Sequence, residues 1–200
     1  DDTTIIFKLR DDVTFHDGSK FTAEDAAYSL SLGATSSFSK TVFSSIDPDN
    51  TKAIDEYTLE LKLLNPYAPL FEALSSFRGA MLCKDARESM GESEYGRAPI
   101  GTGPMKFVDW VSGDRIELEA HDGYWGEKLP FETATARIIV ESNSRSIELE
   151  TGGVDIAMEL AFSDWDRIEE NPETILISGE SQSSTFILLN NSMEPFNDIR

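Results

Sequence analysis

Apolar and polar residues alternate from the start of the chain. Ile5, Phe7 and Leu9 fall on one side of an extended segment and Ile6, Lys8 and Arg10 on the other, which predicts a strand burying one face. After an Asp-Gly turn at residues 17–20 the period changes to that of a helix. Thr22 is placed to cap it, Asp25 lies three residues on as a capping-box variant, and Phe21 can staple onto Ala26. Ala23, Ala27, Leu30 and Ala34 then predict the buried stripe.

The same reading continues along the chain. Asp47-Pro48-Asp49-Asn50 predicts a turn, because proline presets φ and the flanking side chains can bond the backbone. Tyr57, Leu59, Leu61 and Leu63 alternate with Thr58, Glu60 and Lys62, a strand with one wet side, and residues 69–76 read as a short helix opened by proline. Residues 86–97, polar and rich in Glu and Gly, predict a surface excursion or subdomain boundary. The run PIGTGP at 99–104 forces a sharp bend into a hairpin of residues 105–111 and 115–120. Beyond it the pattern predicts a buried strand at 136–140 and a helix in NSRSIELETGG closed by Gly152-Gly153. A strand at 154–158, a short helix at 162–168 and an apolar strand at 185–189 complete the reading. Strands alternating with helices at this spacing place the chain in the α/β class.

Composition narrows the partners. With 17 basic and 37 acidic residues the formal charge is −20, which repels phosphate backbones and anionic headgroups, so nucleic acid is excluded as a partner. The single cysteine, Cys83, rules out an internal disulfide and reads as a small buried apolar residue. No run approaches the roughly 18 apolar residues of a membrane span, and no basic-then-apolar signal segment opens the chain. The chain enters a strand without an initiator Met and stops at MEPFNDIR, so we read it as a piece excised from a longer protein. His16 and His121 lack metal-ligand spacing and read as turn or surface residues, and Trp110 and Trp125 as packing residues. PIGTGP lacks the Lys-Ser or Lys-Thr of a phosphate cradle, and no nucleophile or zinc-hydrolase motif is present, so an enzyme is not expected and no cofactor or metal is implied.

Five segments, taken in order, carry a resemblance: FKLRDDVTFHDGSKFTAEDAAYSL at 7–30, PIGTGP at 99–104, DGYWGEK at 122–128, SRSIELETGGVDI at 144–156 and LLNNSMEPFNDIR at 188–200. Together they resemble the family 5 extracellular solute-binding proteins, the peptide and nickel receptors of ABC importers. The resemblance implies an α/β, periplasmic-binding-protein-like type II fold, here a fragment of lobe one with a mixed β-sheet core. Residues 1–98 are expected to form an inserted subdomain and residues 99–200 the core, ending where lobe two starts. It implies capture of oligopeptides or similar small solutes outside the cytoplasmic membrane for delivery to ABC permease subunits, with any envelope or lipoprotein anchor lying outside this chain. Alternatives are a nickel-complex carrier, or a sensory receptor presenting bound peptide to a membrane partner.

The resemblance also suggests ligand-binding residues. Arg78, after the 69–76 helix, matches an Arg of the nickel-binding members and could grip a carboxylate. Ser39 and Val42 stand where those members hold a metal complex with Arg and Trp, which argues against nickel and leaves Ser39 as a polar candidate. Ser183, Ser184, Thr185 and Phe186 precede a strand that lines the family's cleft, where free backbone groups suit a peptide. With only one wall of that cleft, these residues are expected to fold yet bind weakly.

Overall fold

The computed structural model describes residues 2–180 and 186–198, which divide into two compact units, Asp1–Ile138 and Ile139–Arg200. In the first, the opening alternation produces β1 (Thr4–Lys8), which pairs antiparallel with β3 (Thr58–Lys62). β3 in turn pairs antiparallel with β2 (Lys52–Asp55), giving the order β1-β3-β2. The register sets Ile5 opposite Leu61 and Phe7 opposite Leu59, so the apolar sides of the two strands coincide. Onto that side packs α1 (Ala23–Thr35), through Ala23, Ala26, Leu30 and Ala34. The helix stripe is centred on Ala26 in place of Ala27, which stays half-buried. α2 (Lys40–Phe43) and α3 (Leu70–Ser75) close the same core with Phe43 and Leu70. Each of the buried leucines of β3 stabilises the fold by about 1.5–3 kcal/mol relative to exposure.

Asp25 does more than cap. It is buried, and one carboxylate oxygen accepts the Thr22 N–H at 2.9 Å and the Thr22 hydroxyl at 2.8 Å. The other accepts the Lys84 N–H at 3.1 Å, at the first residue of α4 (Lys84–Met90). One turn on, Ser29 accepts the Leu82 N–H at 2.8 Å and donates to the Asp25 carbonyl. The polar side of α1 thus fixes the start of the next segment. The expected surface excursion is helical: residues 84–97 form two helices, α4 and α5 (Glu92–Arg97), in which Tyr95 alone is buried, parted at Gly91, whose φ of +82° a side chain would strain. Lys, Ala, Arg and Glu favour helix, and Tyr95 points inward against Phe15 and Cys83. Cys83 is buried, as its composition suggested.

The second sheet follows the bend. β4 (Met105–Val111) and β5 (Arg115–Ala120) form the expected hairpin, with Gly113 at φ +78° in its turn, and β6 (Thr133–Arg137) completes the order β4-β5-β6. A bulge between Phe107 and Asp109 inserts Val108, so Phe107 and Trp110 face the same side as Leu118 and Ile116. β6 corrects the predicted buried strand at 136–140. It starts earlier and is an exposed edge, with Ile138 and Val140 outside it and open to solvent. All pairings among the described residues are antiparallel, whereas a mixed sheet was expected.

PIGTGP joins the two sheets, and each of its backbone carbonyls from residue 100 to residue 104 accepts a hydrogen bond. The Ile100 carbonyl accepts from the Tyr95 hydroxyl, Gly101 from the His16 N–H (2.9 Å) and Thr102 from Trp125 Nε1 (3.2 Å). Gly103 accepts from His16 Nε2 (3.0 Å) and Pro104 from the His121 N–H (2.8 Å). The two histidines, expected as turn or surface residues, therefore meet at this bend, their ring centroids 5.1 Å apart. Burial holds the Tyr95 phenol above its ordinary pKa, so it stays a donor across the physiological range.

The second unit carries α6 (Ser142–Glu150), a single 3₁₀ turn at Phe162–Asp164 and α7 (Trp165–Glu170). Arg145 gathers the carbonyls of Ile139, Val140, Met158 and Glu159, and buried Ser146 donates to Asp164 at 2.7 Å. The strands expected at 154–158 and 185–189 do not form among the described residues. A strand needs a neighbouring backbone, and Ile156, Met158, Ile187 and Leu188 are exposed without one.

Two substitutions test this account. Asp25→Ala strands the Thr22 and Lys84 N–H groups and should cost about 3 kcal/mol in urea unfolding, with Asp25→Asn recovering part. Tyr95→Phe leaves the Ile100 carbonyl and the Cys83 N–H without the hydroxyl between them, and we expect a loss of about 2 kcal/mol in the same measurement. Unchanged midpoints would contradict either reading.

Candidate ligand-binding site

Arg78 stands on a single 3₁₀ turn, Phe77–Gly79, immediately after α3. Ser76 leaves the helix with an extended ψ of 161°, and the chain folds back so tightly that a Cβ at Gly79 would lie 2.2 Å from the Leu74 carbonyl oxygen. Only glycine permits that approach, so Gly79 sets where Arg78 points.

The guanidinium carbon of Arg78 lies 4.6 Å from the Phe77 ring centroid and 5.2 Å from that of Phe38, and the two rings are 6.0 Å apart. Both rings are largely exposed, at 71% and 62%. Cation–π contacts of this kind contribute about 0.5–1 kcal/mol each at exposed sites. Arg78 Nε is buried with no hydrogen-bond partner, and among the described residues no carboxylate pairs with the side chain. In a chain with 37 acidic residues, a guanidinium that meets aromatic rings and no acid keeps its planar fork free for a ligand anion.

Ser39 is buried. Its carbonyl accepts the Val42 and Phe43 N–H groups at the start of α2, and the residue of that loop that reaches Arg78 is its neighbour Phe38. The structure thus brings the Ser39 loop and Arg78 together through a ring. The sequence reading missed Phe38 and Phe77, although both end a Ser-Ser-Phe tripeptide, 36–38 and 75–77. Ser183, Ser184 and Thr185 lie outside the described residues, and Phe186 belongs to the second unit, where it is exposed.

A separate concavity of about 330 Å³ lies on the apolar side of the β4–β5 hairpin, lined by Phe107, Trp110, Ile116 and Leu118 with His16 and Arg97. Arg97 covers the Trp110 ring at 4.5 Å, and Trp110 Nε1 is buried without a partner. This cavity sets a guanidinium over one enclosed indole, whereas the Arg78 site sets a guanidinium beside two exposed rings. Among the described residues no cluster of His, Cys, Asp and Glu could hold a metal ion, and no helix is long and apolar enough to cross a membrane.

Residues 1–200 match the family model described as bacterial extracellular solute-binding proteins, family 5, middle. The glutathione-binding protein GsiB of Pectobacterium atrosepticum is 31% identical over 99% of the chain and 39% of its own length. Its Escherichia coli counterpart is 28% identical over the same shares. Among solved structures, MoaA of A. tumefaciens R10 in complex with mannopinic acid superposes with a TM-score of 0.84 at 26% identity, over 98% of this chain and 40% of that one. NikZ of Campylobacter jejuni in complex with Ni(L-His) gives 0.76 at 29% identity, over 86% of this chain and 35% of that one. The chain spans about two fifths of the length of the curated relatives it matches. Over its whole length it belongs to the family 5 extracellular solute-binding proteins, with their α/β fold.

Proposed function

We propose that the protein carrying this chain is the solute-capturing component of an ABC importer, working outside the cytoplasmic membrane and passing a peptide or similar small solute to permease subunits. Its solute carries a carboxylate, which Arg78 grips in a bidentate fork while Phe38 and Phe77 flank the solute's apolar part. The observation that carries this reading is the guanidinium of Arg78, which lies beside two neighbouring exposed rings and pairs with no carboxylate among the described residues. The named ligands of the relatives support it, since glutathione, mannopinic acid and histidine all bear carboxylates. The likeness to NikZ with Ni(L-His) favours a second reading, a metal complex held through the carboxylate of its organic ligand.

In this reading residues 1–98 form a subdomain inserted in lobe one and residues 99–200 the lobe core; one sheet is built wholly before residue 98 and the other wholly after it. That boundary falls inside the first compact unit, Asp1–Ile138. Ser39 would set the loop that presents Phe38. Binding by closure of two lobes favours the closed population without breaking a bond.

The test uses the full-length protein. Mass spectrometry of the small molecule that co-purifies under native conditions should identify a carboxylate-bearing solute, with or without a metal. Arg78→Ala should then weaken its binding in calorimetry by about 10- to 100-fold, the range of a lost charged hydrogen-bond pair. Gly79→Ala, which moves the turn without removing the charge, should weaken it in the same direction. Equal affinities in wild type and Arg78→Ala, or turnover of the solute by the pure protein, would overturn the proposal.

A further inference from the structure

Among the described residues, His16 is the titratable side chain whose ring bonds the backbone of the bend on both sides. Its Nδ1 accepts the Gly101 N–H at 3.2 Å, and its Nε2 lies 3.0 Å from the Gly103 carbonyl oxygen. A backbone N–H can only donate and a carbonyl can only accept, so Nδ1 bears the lone pair and Nε2 the proton. Both ring nitrogens of the neutral form are thereby used. Protonation adds a hydrogen to Nδ1 and sets it against the Gly101 N–H, turning one bond into two opposed donors.

The surroundings also resist the charge. His121, from the loop after β5, brings its ring to 5.1 Å, and its own Nε2 is buried without a partner. Lys106 of β4 acts on the ring from one side, and Arg97 at the end of α5 lines the same cavity. Asp17, on His16's own turn, pulls the other way, and its Oδ1 is already occupied by the Ser19 N–H (2.9 Å) and hydroxyl (2.6 Å), while Glu119 pairs with Lys106 at 2.9 Å. Burial chiefly, with His121 and Lys106, lowers the His16 pKa, against the opposing pull of the Gly103 carbonyl and Asp17.

We propose that His16 is an acid-sensitive latch on the connection between the two sheets: the neutral ring holds the 99–104 bend closed, and its protonation breaks the bond to the Gly101 N–H, which loosens the bend while Nε2 still faces the Gly103 carbonyl. This goes beyond solute capture and does not depend on it. The sign follows from linkage. Above the ordinary histidine value of about 6.5 both closed and open forms are neutral, and the latch acts in full. As pH falls below that value, the open form takes up a proton that the closed form refuses, and the closed form loses up to about tenfold in population ratio per pH unit. The loss ends once pH passes His16's own lower value in the closed form.

The experiment is a pH titration, from 7.5 to 5.0, of the ¹⁵N-glycine-labelled full-length protein by NMR, with wild type, His16→Gln and His121→Gln compared. Glutamine offers an acceptor and a donor but does not titrate. Gly101→Ala identifies the Gly101 signal, since its added methyl would sit 3.6 Å from His16 Cε1, an ordinary contact. In wild type and His121→Gln the Gly101 amide should shift with a midpoint below 6.5, and its protection against exchange, corrected for intrinsic rate, should fall by about tenfold or more. In His16→Gln both responses should vanish. A Gly101 amide indifferent to pH, a midpoint at or above 6.5, or a response abolished by His121→Gln would overturn the latch. Should His16→Gln fail to fold, the wild-type and His121→Gln titrations decide the matter by themselves.

Discussion

The first unit depends on the satisfaction of five consecutive carbonyls, from Ile100 to Pro104, by donors drawn from distant parts of the chain. A segment with two prolines and two glycines in six residues cannot bond itself as a helix or strand, and a buried carbonyl left without a partner costs about 1–3 kcal/mol. The donors come from the turn before α1, from α5 and from the DGYWGEK loop and its flank. Bringing them to one place fixes the β1-β3-β2 sheet against the β4-β5-β6 sheet. Asp25 does for α1 and α4 what the bend does for the sheets, since a single buried carboxylate serves the first turns of both helices.

Electrostatics separate the chain's surface from its candidate site. A formal charge of −20 sets up a field that discourages anions at long range, but salt screens it beyond about 8–10 Å. At contact the local partners decide. Several arginines are neutralised at close quarters, Arg10 by Asp12, Arg115 by Asp114 and Glu117, Arg167 by Glu150 and Asp164. Arg78 instead faces rings, whose attraction for a cation leaves its hydrogen-bonding edge available.

Much of the fold was legible because the period of the apolar residues and the capping chemistry agree locally. The β1 and β3 alternations, the Thr22–Asp25 start of α1, the Asp47 turn and the β4–β5 hairpin all follow from residues within one element or its flanks. The departures arise where the deciding partner lies far along the chain. His16 and His121 looked unrelated at a separation of over a hundred residues, yet both serve the same bend. The polar 84–97 stretch became helical because Asp25 and Tyr95 anchor it, and apolar 154–158 stayed extended because no neighbouring backbone meets it among the described residues. Arg78 was legible as a candidate, but its aromatic neighbours were not, since Phe38 and Phe77 approach only through tertiary folding.

The proposed function has a solute carboxylate dock on Arg78 beside Phe38 and Phe77. A crystal structure of the full-length protein with the solute it retains from its host tests this directly. The account predicts a carboxylate within about 3 Å of the Arg78 guanidinium, in bidentate geometry, with the solute's apolar part against one or both rings. Density for the solute elsewhere, with Arg78 facing only water, would contradict it.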